Sequence, residues 1–218
     1  MSLGDEESRH ALRVLRLSEQ DPVELIDGIG TTAQATLAHA SGGRAVCVVV
    51  ALIRQDPPRP HLTLATAIPK GPRGDAMVND LAQLGVDELV PLRTQRSVVD
   101  PRDNKLARYR RAAIQAAKQC GRAWVMRVRP TMDLATALDL QSELVLVADP
   151  AGKSGPDAVG RVNSVNRVLA FVGPEGGLTD TETELAVKQG AVLWRFNTHV
   201  LRVETAAAAA VAILRSTT

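Results

Sequence analysis

The segment best equipped for chemistry is residues 169–185, LAFVGPEGGLTDTETEL. An apolar run enters Gly173-Pro174-Glu175-Gly176-Gly177 and a polar stretch follows. Glycines let backbone N–H and C=O groups approach a ligand closely. A tight turn needing positive φ would account for one glycine; three glycines, a proline and a carboxylate in five residues point to a ligand loop. The spacing is neither Gly-x-Gly-x-x-Gly nor Gly-x4-Gly-Lys-Ser/Thr, so the dinucleotide and P-loop phosphate readings fail. Thr179 and Glu182 have the spacing of a capping box, which starts a helix directly after the loop.

A second such segment is RFNTHVLRVETAAAAAVAIL, residues 195–214. An apolar run enters a polar loop, and a helix begins near Glu204-Thr205. Glu204 at a helix N-terminus is favoured by the macrodipole, and that alone would explain it. Taken with the first segment, two strand-end loops late in the chain are expected to wall one pocket. In VPLRTQRSVV (90–99) a strand ends among Arg93 and Arg96. Ligands of open parallel sheets bind outside the carboxyl ends of the strands, where these arginines would lie. A surface ion pair or a phosphate clamp explains them equally well. On the run 103–120, Arg108, Arg111, Gln115 and Lys118 recur at spacings of three to four and form one basic stripe, with Arg122 just beyond it.

Charge gives the stripe its meaning. The formal net charge is +2, but residues 54–130 hold 15 Lys/Arg against 7 Asp/Glu (+8), while the segments on either side each carry −3. A basic middle third suits a polyanion such as RNA, with solvated helix faces as the plain alternative. Five aromatic residues, Tyr109, Trp124, Phe171, Trp194 and Phe196, are few for a protein that reads single strands by stacking, so arginine–phosphate contacts should dominate. No apolar stretch reaches 18 residues, which excludes a helical membrane span. The N-terminus has no basic and apolar leader, and two isolated cysteines, Cys47 and Cys120, imply neither a disulfide framework nor a metal cluster. A reducing cytoplasm is expected.

The elements that must position these residues fall into two patterns. Residues 10–53 read as β: ALRVLRL, PVELIDG, TAQATLAHA and RAVCVVVALI are short runs punctuated by Asp-Pro, Asp-Gly and Gly-Gly. They suggest a small barrel or sandwich of about five strands. RQDPPRPH (54–61) is a linker by its three prolines. From His61 the chain alternates strand and helix over about 155 residues, which argues for a parallel sheet covered on both faces. Helices are expected over 74–84, 103–120, 179–188 and 203–215, with Gly85 and Gly121 as C-terminal glycines.

GPEGGLTDTETELA followed by VLRVETAAAAAVAIL resembles the RsmE group of the SPOUT methyltransferase superfamily, as do LGVDELVPLRTQRSVV, AAKQCGRAWVMRVRPTMDL and HALRVLRL…VELIDG. The resemblance spans about residues 10–215. It implies S-adenosylmethionine-dependent methylation of N3 of one uridine, position 1498 of 16S rRNA in the small ribosomal subunit, by a metal-free cytoplasmic homodimer. It further implies a small N-terminal PUA-like β-barrel that binds RNA (1–57) and a C-terminal parallel-sheet α/β-knot (SPOUT) domain (58–218). By the same resemblance Val172, Gly173, Pro174, Glu175, Gly176 and Gly177, with Phe196, Asn197, Val200, Leu201 and Arg202, hold the cofactor. Arg96 matches the active-site arginine, and Lys70 and Arg73 match basic residues before the first helix. Arg93, Arg108, Arg111, Lys118 and Arg122 join them as RNA-binding candidates.

This sequence departs from the family in two places. Phe196-Asn197-Thr198-His199 stands where Leu-Gly-Pro-Arg is usual, and Asn79–Val86 replaces Gln-Lys-Ala-Thr-Glu-Leu-Gly-Val. The altered loop leaves a runner-up: an RNA-binding or ribosome-assembly protein that kept the fold without the activity. For the enzyme, the expected mechanism is in-line transfer from a sulfonium with water excluded. Arg96 would stabilise negative charge developing on the uracil oxygens, and Glu204 or solvent would accept the N3 proton. On this reading Arg96→Ala abolishes turnover and leaves cofactor binding nearly intact.

Overall fold

Period-2 burial identifies the central strands. In the computed structural model, β9 (Arg167–Val172) sends Val168, Ala170 and Val172 into one buried cluster and Leu169 and Phe171 into another. β4 (His61–Thr66) does the same with Leu62 and Leu64 against Ala65. Strands apolar on both faces must be covered on both, as expected for parallel sheets. The structure describes residues 1–41, 43–154 and 159–216. The chain divides into two units, Met1–Pro57 with Arg122–Trp124, and Pro58–Gly121 with Val125–Thr218.

In the first unit, helix α1 (Asp5–Arg9) continues into a π-helical turn, His10–Val14, and three antiparallel strands follow: β1 (Pro22–Ile26), β2 (Thr31–Ser41) and β3 (Arg44–Arg54), in the order β1-β2-β3. Ala35, Leu37, Ala45 and Cys47 form its core, with Leu3, Leu12 and Leu17 packed against them. The run ALRVLRL, expected as a strand, is therefore helical for the most part, and three strands stand among the described residues where about five were expected. The physical cause lies just upstream. Asp5, Glu6 and Glu7 fill the first turn of α1, where the helix dipole favours them. Ser8 is buried, and its hydroxyl accepts from the Ala45 N–H at 3.0 Å, which anchors the helix on β3.

The second unit holds a parallel sheet in the order β10-β8-β9-β4-β5-β6, with β7 pairing beside β6 on β5. Its further elements, in chain order, are α2 (Pro72–Gln83), β5 (Glu88–Arg93), α3 (Asp103–Cys120), β6 (Arg127–Val128), β7 (Met132–Asp133), α4 (Leu134–Leu138), β8 (Leu144–Ser154), α5 (Asp180–Lys188), β10 (Val192–Arg195) and α6 (Val203–Ser216). One face packs on α2, α3 and α6 through Met77, Leu81, Tyr109, Ala113, Ala207 and Val211. The other packs on α4 and α5 through Leu134, Leu138 and Ala186. α3 ends at Gly121 in the left-handed region (φ 72°), and α5 opens with the Thr179/Glu182 capping box. Among the described residues no helix is long and apolar enough to cross a membrane.

The pairing of β8 with β10 is broken in one place. Leu193 faces Val147, but Trp194 faces Lys153, so residues 148–152 bulge out of the ladder. Gly152 closes the bulge against β10. A Cβ there would lie 2.6 Å from the Leu193 carbonyl carbon and 2.6 Å from the Trp194 nitrogen.

Candidate active site

Three segments at the carboxyl ends of neighbouring strands enclose one cavity of about 360 Å³. They are the β8 bulge, the loop after β9 and the loop after β10. That volume lies at the lower end of those that hold small molecules. Val172, Gly173, Pro174, Glu175, Gly176 and Gly177 line one side, and Phe196, Asn197, Val200 and Leu201 another. Arg202 does not line it. Its side chain is exposed, and its carbonyl accepts from the Ala206 N–H at the start of α6. Sequence reasoning missed the bulge, which contributes Ala148, Asp149 and Pro150, and also missed Leu178, Trp194, Arg195, Val203 and Ala206. The run Ala148-Asp149-Pro150-Ala151-Gly152 carries a turn signature that could have pointed to a break in the strand.

The glycine loop is built by local chemistry. Gly177 N–H donates to the Pro174 carbonyl at 2.8 Å, and Gly177 sits at φ 69°. A Cβ on Gly177 would meet nothing within 4 Å, so this stretch presents bare backbone to open space. The opposite wall is aromatic: the Trp194 and Phe196 rings lie 4.7 Å apart at 51°. Asp149 brings a carboxylate, one oxygen of which accepts from Ala151 N–H at 2.7 Å. Open backbone at Gly177, an aromatic wall and the Asp149 and Glu175 carboxylates suit a compact ligand with apolar, hydroxyl-bearing and cationic parts.

Arg96 lies on this loop. Its Nη1 donates to the carbonyl of Gly176 and, at 3.2 Å, to that of Leu178. Its stem packs flat on Gly176, where a Cβ would come within 3.2 Å of Arg96 Cδ. The turn carrying it is pinned by Thr94 N–H to Ser97 Oγ at 2.9 Å and by Gln95 N–H to Glu182 Oε1 at 2.9 Å. Cofactor binding was expected to stay nearly intact in Arg96→Ala; a guanidinium bonded to a wall of the cavity predicts a measurable loss of affinity instead.

Glu204, on the first turn of α6, lies between the cavity-lining residues Val203 and Ala206. Its Oε1 pairs with Arg73 Nη1 at 3.2 Å, while Oε2 is buried with no hydrogen-bond partner among the described residues. Arg73 belongs to the first turn of α2, and Lys70 stands exposed just before it. Arg93, at the end of β5, faces Asp100 at 3.6 Å. Arg108 pairs with Asp75 at 2.9 Å. On α3, Arg108, Arg111 and Gln115 are exposed, Tyr109, Ala113 and Ala116 are buried and Lys118 is half-buried; Arg122, beyond the helix, is half-buried too. Burial, reinforced by the nearby Asp75 charge, pushes the Tyr109 phenol far above its ordinary range, so it stays neutral and serves as no base.

Residues 55–215 match a family model described as RNA methyltransferase domain, and residues 3–50 match one described as RNA methyltransferase PUA domain. The chain belongs to the RNA methyltransferase family. A curated relative, ribosomal RNA small subunit methyltransferase E of Synechocystis sp., is 29% identical over 205 residues, covering 92% of this chain and 67% of its own. The protein of the same name from Bacillus subtilis is 27% identical over 218 residues, covering 94% and 85%. A crystal structure of the Neisseria gonorrhoeae protein of that name, bound to S-adenosyl methionine, matches with a TM-score of 0.87 at 29% identity, over 99% of this chain and 91% of that one. The fold is thus that of the SPOUT-type methyltransferases with a PUA domain at the N-terminus.

For an RNA methyltransferase with this cavity, the β8 bulge makes a sharp prediction. Gly152→Ala forces its methyl into the β10 backbone, which cannot swing aside as a side-chain end would. Such overpacking costs about 1–3 kcal/mol and moves Trp194. The melting temperature should fall by about 2–12 °C, with a weakened affinity for S-adenosylmethionine in calorimetric titration.

Proposed function

We propose that the cavity holds S-adenosylmethionine and that the protein methylates ribosomal RNA of the small subunit, at N3 of one uridine, position 1498 of 16S rRNA. The observation that carries this reading is the meeting of the 173–178 and 196–203 segments, separated by 18 positions at their nearest ends, around one cavity. The names of the relatives and the cofactor bound in the Neisseria neighbour support it. The residues present suit the cofactor: the tilted Trp194–Phe196 pair offers a face for adenine, and Asp149 and Glu175 offer acceptors for hydroxyl or ammonium groups.

Bound there, S-adenosylmethionine supplies a methyl group on a sulfonium, and this chemistry requires no metal. The chain supplies the rest. Trp194 and Phe196 exclude water from one side. Arg96 keeps Nε and Nη2 for the substrate while Nη1 holds the loop, so it can stabilise charge developing on a uracil oxygen. The unpartnered Oε2 of Glu204 is suited to accept the N3 proton, with Arg73 fixing the other oxygen. Lys70, Arg73, Arg93, Arg108, Arg111, Lys118 and Arg122 contact RNA phosphates. The protein works as a cytoplasmic homodimer, with residues 1–57 as an RNA-binding domain and 58–218 as the methyltransferase domain.

The test is incubation with small subunits lacking the modification, followed by mass-spectrometric mapping. One new methyl group on N3 of that uridine is the expected result; methylation elsewhere would overturn the target. The 196–199 loop, unlike the family's usual sequence, favours a non-catalytic RNA binder instead. Calorimetric titration decides, because a pure binder has no use for micromolar cofactor affinity.

A further inference from the structure

The turn carrying Arg96 and the helix following the cofactor loop share one carboxylate. Glu182 is the third residue of α5, and its Oε2 accepts from the Thr179 N–H at 2.8 Å and the Thr179 hydroxyl at 3.1 Å. That completes the reciprocal cap with a single oxygen. Oε1 reaches out of the helix to the Gln95 N–H at 2.9 Å, a residue 87 positions earlier in the chain. The next residue is Arg96, whose guanidinium lies on the Gly176 and Leu178 carbonyls. The 94–97 turn is stiff within itself: Thr94 N–H donates to Ser97 Oγ at 2.9 Å, and Ser97 N–H donates to the Thr94 carbonyl at 3.1 Å. A stiff turn held at one backbone amide carries its neighbouring side chain with it.

We propose that Glu182 is a positioning residue for methyl transfer: by holding Gln95 N–H it places the Arg96 guanidinium on the cofactor loop, so the cavity and the substrate-facing arginine move as one. The proposal rests on the reading of Arg96 as the residue that stabilises the reacting base. The capping box accounts for one carboxylate oxygen, and the second has no part in the helix. Misplacement of a reacting group by about 1 Å can cost up to about a hundredfold in rate, so a side chain far from the transferred methyl can matter this way.

The experiment compares Glu182→Ala, Glu182→Gln and Thr179→Ala, alone and in an Arg96→Ala background. Each is assayed for kcat and KM with small-subunit substrate, for cofactor affinity by calorimetry and for melting temperature. Thr179→Ala removes the cap but leaves the link to Gln95, so it sets the scale of a purely structural loss. Glu182→Ala is expected to lower the melting temperature about as much as Thr179→Ala, yet to lower kcat on the order of tenfold with the RNA KM within about twofold. Glu182→Gln, which suits a capping box and folds if the alanine variant does not, keeps one carbonyl oxygen for three donors and should fall between. In the Arg96→Ala background the Glu182 substitutions should cost almost nothing further in kcat or cofactor affinity. Equal kcat losses for Thr179→Ala and Glu182→Ala, or a Glu182 effect undiminished without Arg96, would overturn the proposal while leaving the role of Arg96 intact. A wild-type rate in Arg96→Ala alone would overturn both.

Discussion

Replacing Arg96 by alanine should lower methylation of small-subunit rRNA by about 10²–10³-fold, the usual consequence of removing one donor from a site where negative charge develops. The structure points to a second effect, on cofactor affinity, larger than sequence reasoning expected. Arg96 holds the Gly176 and Leu178 carbonyls, and both residues line the cavity. Hydrogen bonds from a charged donor contribute about 1.5–3 kcal/mol when shielded, and these are exposed, so about 1 kcal/mol is realistic. The cofactor Kd should therefore rise roughly fivefold, at 1.4 kcal/mol per factor of ten. Arg96→Lys keeps the charge but loses the further guanidinium nitrogens that face a substrate while Nη1 holds both carbonyls, and it should recover little of the rate. A rate near wild type in Arg96→Ala would refute its place in catalysis; an unchanged Kd would refute the clamp.

The largest loss of stability is expected from Arg215→Ala. Near the end of α6, Arg215 donates from Nε to the Gly85 carbonyl at 2.9 Å, from Nη1 to the Pro60 carbonyl at 2.9 Å and from Nη2 to Asp87 Oδ2 at 2.6 Å. It thereby ties the C-terminal helix to the entry of β4 and to the turn between α2 and β5. The two side chains are 17% and 9% exposed. Truncating the arginine leaves the largely buried Asp87 carboxylate holding the Leu62 N–H at 2.8 Å but without its cation, and breaking such a buried pair costs about 3–5 kcal/mol. For a chain of this length that is a fall in melting temperature of about 6–20 °C. Arg215 lies outside the cavity, so cofactor affinity measured well below the transition should be unchanged. A melting temperature within about 2 °C of wild type would show that the pair contributes little.

Much of the second unit was legible because its signals are local. Apolar runs of five to eight residues, punctuated by Gly85 and Gly121 and by the Thr179/Glu182 pair, mark strands and helices that the structure places within a few residues of their expected bounds. The first unit was misread at its start. ALRVLRL fits a strand on β-propensity alone, and only the acidic turn before it and the docking of Ser8 on β3 make it helical.

The site was legible in part. That two loops rich in glycine and polar residues follow successive apolar strands is written in the sequence, and so is the membership of one family that those loops imply. The order in which the strands lie side by side is not. That order places the β8 bulge beside both loops, sets Arg96 on carbonyls 80 and 82 positions away, and brings Arg73 to Glu204 across 131 residues. Periodicity records which face of an element is apolar, whereas such pairings depend on how the faces stack, and this is decided only when the whole sheet closes its core.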